Sequence, residues 1–175
     1  MSRILNQIKN QRNQVIVKGT FHNCYEVSMK SALNTGKNYY AEFQFSDTFK
    51  DTDGDEVKQQ VLEKDLKGFK GDLEHVNLKT QDELEEYGML YLDKGNLFEV
   101  TQSYFKDNQL FGKVKFNTEH KQFDNIWNKH IKQGKFGISL EYQKRNEVLK
   151  KVVGISGTIS PNNDRSKLIA AYIGA

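Results

Sequence analysis

Cysteine, proline and tryptophan each occur once in this chain of 175 residues. The lone thiol, Cys24, excludes an internal disulfide and suits a reducing compartment. A single proline, Pro161, and no glycine- or serine-rich run argue against a long disordered linker. No apolar run reaches transmembrane length. The opening Met1-Ser2-Arg3-Ile4-Leu5-Asn6 lacks the hydrophobic stretch of a signal peptide, so an intracellular setting is expected. Charge of one sign is scarce too. The 26 Lys and Arg against 23 Asp and Glu leave a formal charge of +3, which does not by itself mark a nucleic-acid binder. What the chain does have is core material: 37% of its residues are hydrophobic, with 11 Phe and 8 Tyr, enough for one domain over 1–175.

Along the chain, residues 1–13 can form a short peripheral helix with Ile4, Leu5 and Ile8 on one side. Strand signals follow at 15–17 and 20–21, a turn at 30–37, and a clearer strand at 38–45. There Ala41, Phe43 and Phe45 alternate with Tyr40, Glu42 and Gln44. Val57, Val61, Leu62, Leu66 and Phe69 recur at helical spacing and predict a helix over 56–69, capped by Asp55 and ended by Gly68 and Gly71. Residues 73–78 read as extended. The acidic 81–87 reads as a helical turn or an exposed insertion. Strands are expected at 90–92, 97–105 and 110–116, with hairpin-sized connections at 93–96 and 106–108. Phe123, Ile126, Trp127 and His130 give a helix over 119–132, stopped by Gly134. After the β-rich 148–159, Asn162-Asn163-Asp164 can start a last helix over 166–173. This density of antiparallel signals favours a closed or strongly curled sheet over a parallel one with crossover helices.

Chemistry concentrates around Phe136-Gly137-Ile138-Ser139-Leu140-Glu141-Tyr142, where alternation sends Ile138, Leu140 and Tyr142 to one face and Ser139 and Glu141 to the other. Glu141, two residues from Ser139, is expected at the rim. Serine hydrolysis needs a hydroxyl, a base within reach, a group to orient the base and donors for the oxyanion. The G-x-S-x-G elbow is not met, because position 141 is glutamate. Asp51-Thr52-Asp53-Gly54-Asp55 lacks the spacing of a twelve-residue calcium loop. His22 with Cys24, and His120 with His130, match no metal or thiol-protease pattern, so neither a metal nor a cofactor is expected. Lys129, Lys132, Lys135, Lys144, Arg145, Lys150 and Lys151 read as a solvated face.

Three segments taken in order resemble the capsid maturation (prohead) proteases of tailed bacteriophages, which share a fold with the herpesvirus assemblins. They are Asp51-Thr52-Asp53-Gly54-Asp55 ahead of a helix and His75, Gly137-Ile138-Ser139-Leu140-Glu141-Tyr142, and Gly154-Ile155-Ser156-Gly157-Thr158-Ile159-Ser160-Pro161. The resemblance covers roughly residues 40–170. It implies an α+β domain built on a mostly antiparallel closed β-barrel surrounded by helices. It implies Ser139 as nucleophile and His75 as base, with Ser156 in the register of the third member and Asp164 as the charged alternative. The loop at Arg165 would serve the oxyanion. Tyr172-Ile173-Gly174-Ala175 looks like an assemblin self-cleavage site, with Ala175 as the product end.

The function so implied is a serine endopeptidase that cuts scaffold and capsid precursor polypeptides inside an assembling procapsid, in the cytoplasm of an infected host. The resemblance also implies a homodimer. No membrane and no specific nucleic acid are expected as partners. Two alternatives stay open: an inactive capsid-associated structural or scaffold protein of the same fold, motivated by the absence of an acid or histidine at position 156, and a basic nucleic-acid-binding module.

Overall fold

The structure, a computed structural model, describes residues 37–51, 54–161, 163 and 165–174. The expectations for 1–13, 15–17, 20–21 and 30–36, and the His22–Cys24 pair, lie outside the described residues. Seven strands form one sheet: β1 (Asn38–Asp47), β2 (Lys70–Leu73), β3 (Phe98–Lys106), β4 (Gln109–Phe116), β5 (Gly137–Arg145), β6 (Val148–Thr158) and β7 (Lys167–Gly174), in the order β5-β6-β2-β3-β4-β1-β7. Neighbours are antiparallel except β2 and β6, which run parallel. Short β2 therefore joins a two-stranded unit to a four-stranded one.

The two hairpins have two-residue loops with both residues left-handed, Asp107-Asn108 (φ 52 and 64) and Asn146-Glu147 (φ 51 and 61). Such loops match the right-handed twist of the strands they join.

The closed barrel is not formed. The sheet is an open, strongly curled half-barrel whose edges stand 5 Å apart. Bulges supply the curl, at Gln44/Ser46, Glu42/Phe43, Val100/Gln102, Glu141/Tyr142 and Gln143/Lys144. Closure would need a continuous backbone ladder between β5 and β7. Instead one hydroxyl spans the gap: Ser166 Oγ lies 2.9 Å from both Ile138 O and Gln44 O, and the Ile138 amide reaches it at 3.3 Å. Pro161, which has no N–H, packs beside Gly137 at the same place.

Nor, among the described residues, do long helices surround the sheet. Among the described residues they are α1 (Gln59–Leu62), α2 (Gln81–Glu86) and α3 (Phe123–Ile126), with α3 continued by a π-helical turn, Trp127–Ile131. The helix expected over 56–69 shrinks to α1, although Val57, Val61, Leu62 and Leu66 are all buried. Asp65 Oδ1 captures the Lys67 amide and Ser103 Oγ the Leu66 amide, each at 2.9 Å, so side chains take the donors that a helix would have used. Asp55 is no cap: Lys58 holds the N-cap position, and the Asp55 carboxylate pairs with Lys144 at 3.2 Å.

In the helix expected over 119–132, the π turn inserts a residue and rotates the face. Ile131 is buried where a regular helix would have placed His130. Residues 90–92 form turns rather than a strand. The expected last helix is strand β7. A bulge shifts the register by one residue between Leu168 and Ala170, so Leu168 and Ala171 are both buried, and their spacing of three imitates a helix.

The core fills the concave side with Phe43, Phe45, Phe98, Phe136, Ile138 and Ile155. Tyr39, Phe116, Phe123 and Trp127 interlock where α3 packs on the sheet, with centroids 4.9–6.0 Å apart.

Candidate functional site

The parallel junction sets out the site. Across β5 and β6, Ser139 faces Ser156, and across β6 and β2, Ser156 faces Asp72. Residues directly opposed on neighbouring strands project to the same face. Ser139, Ser156 and Asp72 therefore stand in one row across three strands, exposed by only 6%, 0% and 4%. Two residues along β5, Glu141 faces Gly154. A Cβ on Gly154 would stand 2.1 Å from Glu141 Oε2, so the missing side chain is the space in which that carboxylate lies.

His75 reaches the row by an unusual turn. Of the expected extended stretch 73–78 only Leu73, the end of β2, is extended: Glu74 and His75 both take left-handed backbone (φ 53 and 57), and Val76–Leu78 is a short 3₁₀ helix. Each such non-glycine residue costs about 1–2 kcal/mol, so the turn must be held by its surroundings. The Glu74 amide donates to Gly157 O at 2.9 Å. The buried Glu74 carboxylate accepts from the Ile159 amide at 2.9 Å and from Thr158 Oγ1 at 3.0 Å. Asp72 Oδ2 accepts the Asn77 amide at 2.8 Å and closes the turn from below.

So held, the imidazole lies along the row. Its Nε2 is 3.0 Å from Ser139 Oγ, while Nδ1 is 2.8 Å from Glu141 Oε1 and 3.0 Å from Ser156 Oγ. Ser156 Oγ also contacts Glu141 Oε1 at 3.2 Å and donates to Asp72 Oδ1. Burial pushes the Glu141 carboxyl up, but the hydrogen bonds from His75 and Ser156 and the nearby imidazole outweigh it and hold the group below its usual range. An ionised Glu141 accepts Nδ1–H, and that tautomer leaves the Nε2 lone pair for the Ser139 hydroxyl. This is the contact a general base needs to a hydroxyl nucleophile. Glu74, wholly buried, is pushed up to about 7 by that burial, against the opposing bonds from Ile159 and Thr158.

His75, Ser139 and Ser156 thus come together, and Asp164 and Ala175 lie outside the described residues. Arg165 forks onto the buried carboxylate of Asp47 through Nε at 2.6 Å and Nη2 at 2.9 Å. Its backbone amide donates to Asn163 Oδ1 at 3.0 Å. Asp47 and Asn163 line the cleft beside Ser139, together with Ser46, Asp51, Leu140 and Tyr142.

Glu141 does not lie at the rim; its side chain is 18% exposed and bonds the ring. Strand residues two apart are separated by roughly 6.5 Å, a gap an imidazole laid lengthwise spans from one end to the other. Asp72 carries no motif of its own in the sequence. The only signal for it was β2–β6 pairing, which no local pattern in the sequence encodes.

Asp72, His75 and Glu141 also offer three donor atoms within 4.8 Å of one another, a mixed N/O set that zinc accepts. Each of the three already contacts Ser156 Oγ, which fills the space between them, so an ion would have to expel that side chain. The arrangement fits a hydrogen-bonded network rather than a metal centre.

Among the described residues no helix is long and apolar enough to cross a membrane. Comparison of the chain with protein-family models, with curated proteins and with solved structures finds no match.

Proposed function

We propose that this protein is a serine endopeptidase of the prohead-protease type. Ser139 is the nucleophile, His75 the base, and Glu141 with Ser156 orients the imidazole. The observation that carries the reading is the imidazole bonded at both ends, to Ser139 Oγ at 3.0 Å and to Glu141 Oε1 at 2.8 Å. In the proposed reaction Ser139 Oγ attacks a peptide carbonyl as Nε2 takes its proton, and the imidazolium then protonates the leaving amine. Ionised Glu141 stabilises the imidazolium. The acyl-enzyme is hydrolysed by water with His75 again as base. No cofactor enters this scheme.

The substrate class, scaffold and capsid precursor polypeptides within a procapsid in an infected host, rests on the resemblance of residues 40–170 to prohead proteases. Homodimerisation rests on the same resemblance. The test is co-expression with a capsid precursor: processing by wild type and none by Ser139→Ala or His75→Ala supports the proposal, and processing retained in both mutants rejects it. The reading as an inactive capsid-associated protein draws on Arg165, whose guanidinium is held by Asp47. It predicts no processing by wild type either.

A further inference from the structure

The row of facing residues continues past Ser156 to a carboxylate that the scheme above does not use. We propose that Asp72 is a positioning residue for His75, acting through the Ser156 hydroxyl to keep the imidazole in the tautomer with its proton on Nδ1. The inference rests on the peptidase reading and extends it by one residue.

The argument is proton bookkeeping. A serine hydroxyl carries one proton and two lone pairs. Ser156 Oγ has three polar neighbours, Asp72 Oδ1, Glu141 Oε1 at 3.2 Å and His75 Nδ1 at 3.0 Å. If its proton went to Glu141, it would compete with His75 Nδ1–H for the same oxygen, because both contact Oε1. If it went to Nδ1, the ring would carry its own proton on Nε2 and could no longer accept one from Ser139. Asp72 removes both alternatives. A buried carboxylate draws the hydroxyl proton to itself, and a charge-assisted bond of this kind is about twice as strong as a neutral one. Oε1 is then left to Nδ1–H, and a Ser156 lone pair becomes a second acceptor for that same proton. Asp72 Oδ2 is meanwhile occupied by the Asn77 amide at 2.8 Å, which fixes the carboxylate plane.

Asp72→Asn separates this role from a structural one. The amide keeps an acceptor for Asn77 and presents an N–H₂ to Ser156, which turns the hydroxyl proton toward His75 and Glu141. kcat/KM is expected to fall on the order of 10- to 100-fold, the scale of one hydrogen bond to a charged group, with KM little changed. Ser156→Ala removes the ambiguous proton and should cost less. In the Ser156→Ala background, Asp72→Asn should then cost almost nothing further. An undiminished loss in that background would mean that Asp72 acts through the turn alone and would overturn the inference.

¹⁵N NMR of the His75 ring, read without any turnover, gives the tautomer directly. Wild type and Ser156→Ala should show Nδ1 protonated, and Asp72→Asn a mixture or the Nε2–H form. An Asp72→Asn ring identical to wild type sinks the proposal. Because this measurement needs no activity, absence of peptidase activity in wild type would reject the peptidase reading while the tautomer still decides the role of Asp72.

Discussion

The two ends of the sheet use the same device for opposite purposes. In the four-stranded part, facing residues on the exposed side are aromatic and cationic. Tyr40 stacks on Tyr172 with centroids 5.4 Å apart, Lys113 Nζ sits 4.6 Å over the Tyr40 ring, and Tyr104 stacks on Phe111 at 5.4 Å. In the β5–β6–β2 part, the facing residues are Ser139, Ser156 and Asp72, and they are buried. A half-exposed aromatic row adds stability wherever it occurs. A buried polar row lowers stability unless every member is satisfied. The second row therefore makes sense as chemistry, and it sits beneath two left-handed residues held in place by the hydrogen bonds of Glu74 and Asp72.

Breaking the polar row should cost activity and little stability; breaking the aromatic row should do the reverse. The largest effect is expected from Glu141→Gln, which keeps the shape and removes the charge behind Nδ1. Cleavage rate should fall on the order of 10²–10⁴-fold, with a melting temperature near that of wild type by calorimetry. Gly154→Ala comes next. Its Cβ would meet Glu141 Oε2 at 2.1 Å, and the flexible carboxylate yields by swinging away from His75. Kinetics should show a loss of about tenfold to a hundredfold, on the scale of an ångström-sized misplacement.

Glu74→Gln tests the clamp under the turn. Burial raises the Glu74 pKa from 4.5 to about 7 in the folded protein, so between those pH values the folded state binds the proton and the unfolded state does not. Wild-type stability from this group is complete below pH 4.5 and is lost as pH rises through 7. The loss is on the order of 3 kcal/mol at ~1.36 kcal/mol per pH unit. Denaturant unfolding at pH 5 and pH 8 should show that decline in wild type and not in Glu74→Gln. The smallest effect belongs to the aromatic row. Tyr104→Ala should reduce stability by about 0.5–1.5 kcal/mol and leave cleavage kinetics unchanged.

Local patterns revealed what depends on local pattern. The alternation in β1 and β5 and the hairpin loop between β3 and β4 were legible, whereas the loop at Asn146-Glu147 was not. The resemblance supplied the pairing of His75 with Ser139 and the register of Ser156. What local pattern concealed was the change of period in β7 and after α3. Leu168 and Ala171 imitate a helix because the register shifts at Ile169, and Ile131 replaces His130 because a π turn adds a residue. Long-range pairing concealed the rest. Asp72 enters the site only because β2 meets β6 in parallel, and the open edge between β5 and β7 depends on Ser166 bridging where a ladder would have closed the barrel.

The central claim is that the imidazole of His75 activates the hydroxyl of Ser139. Treatment with a fluorophosphonate followed by peptide mapping tests it most directly, since only an activated serine reacts at an appreciable rate. The account predicts a single phosphonylated residue, Ser139, in wild type and its near-complete loss in His75→Ala. A wild-type Ser139 that stays unmodified, or one modified equally fast without His75, would contradict it.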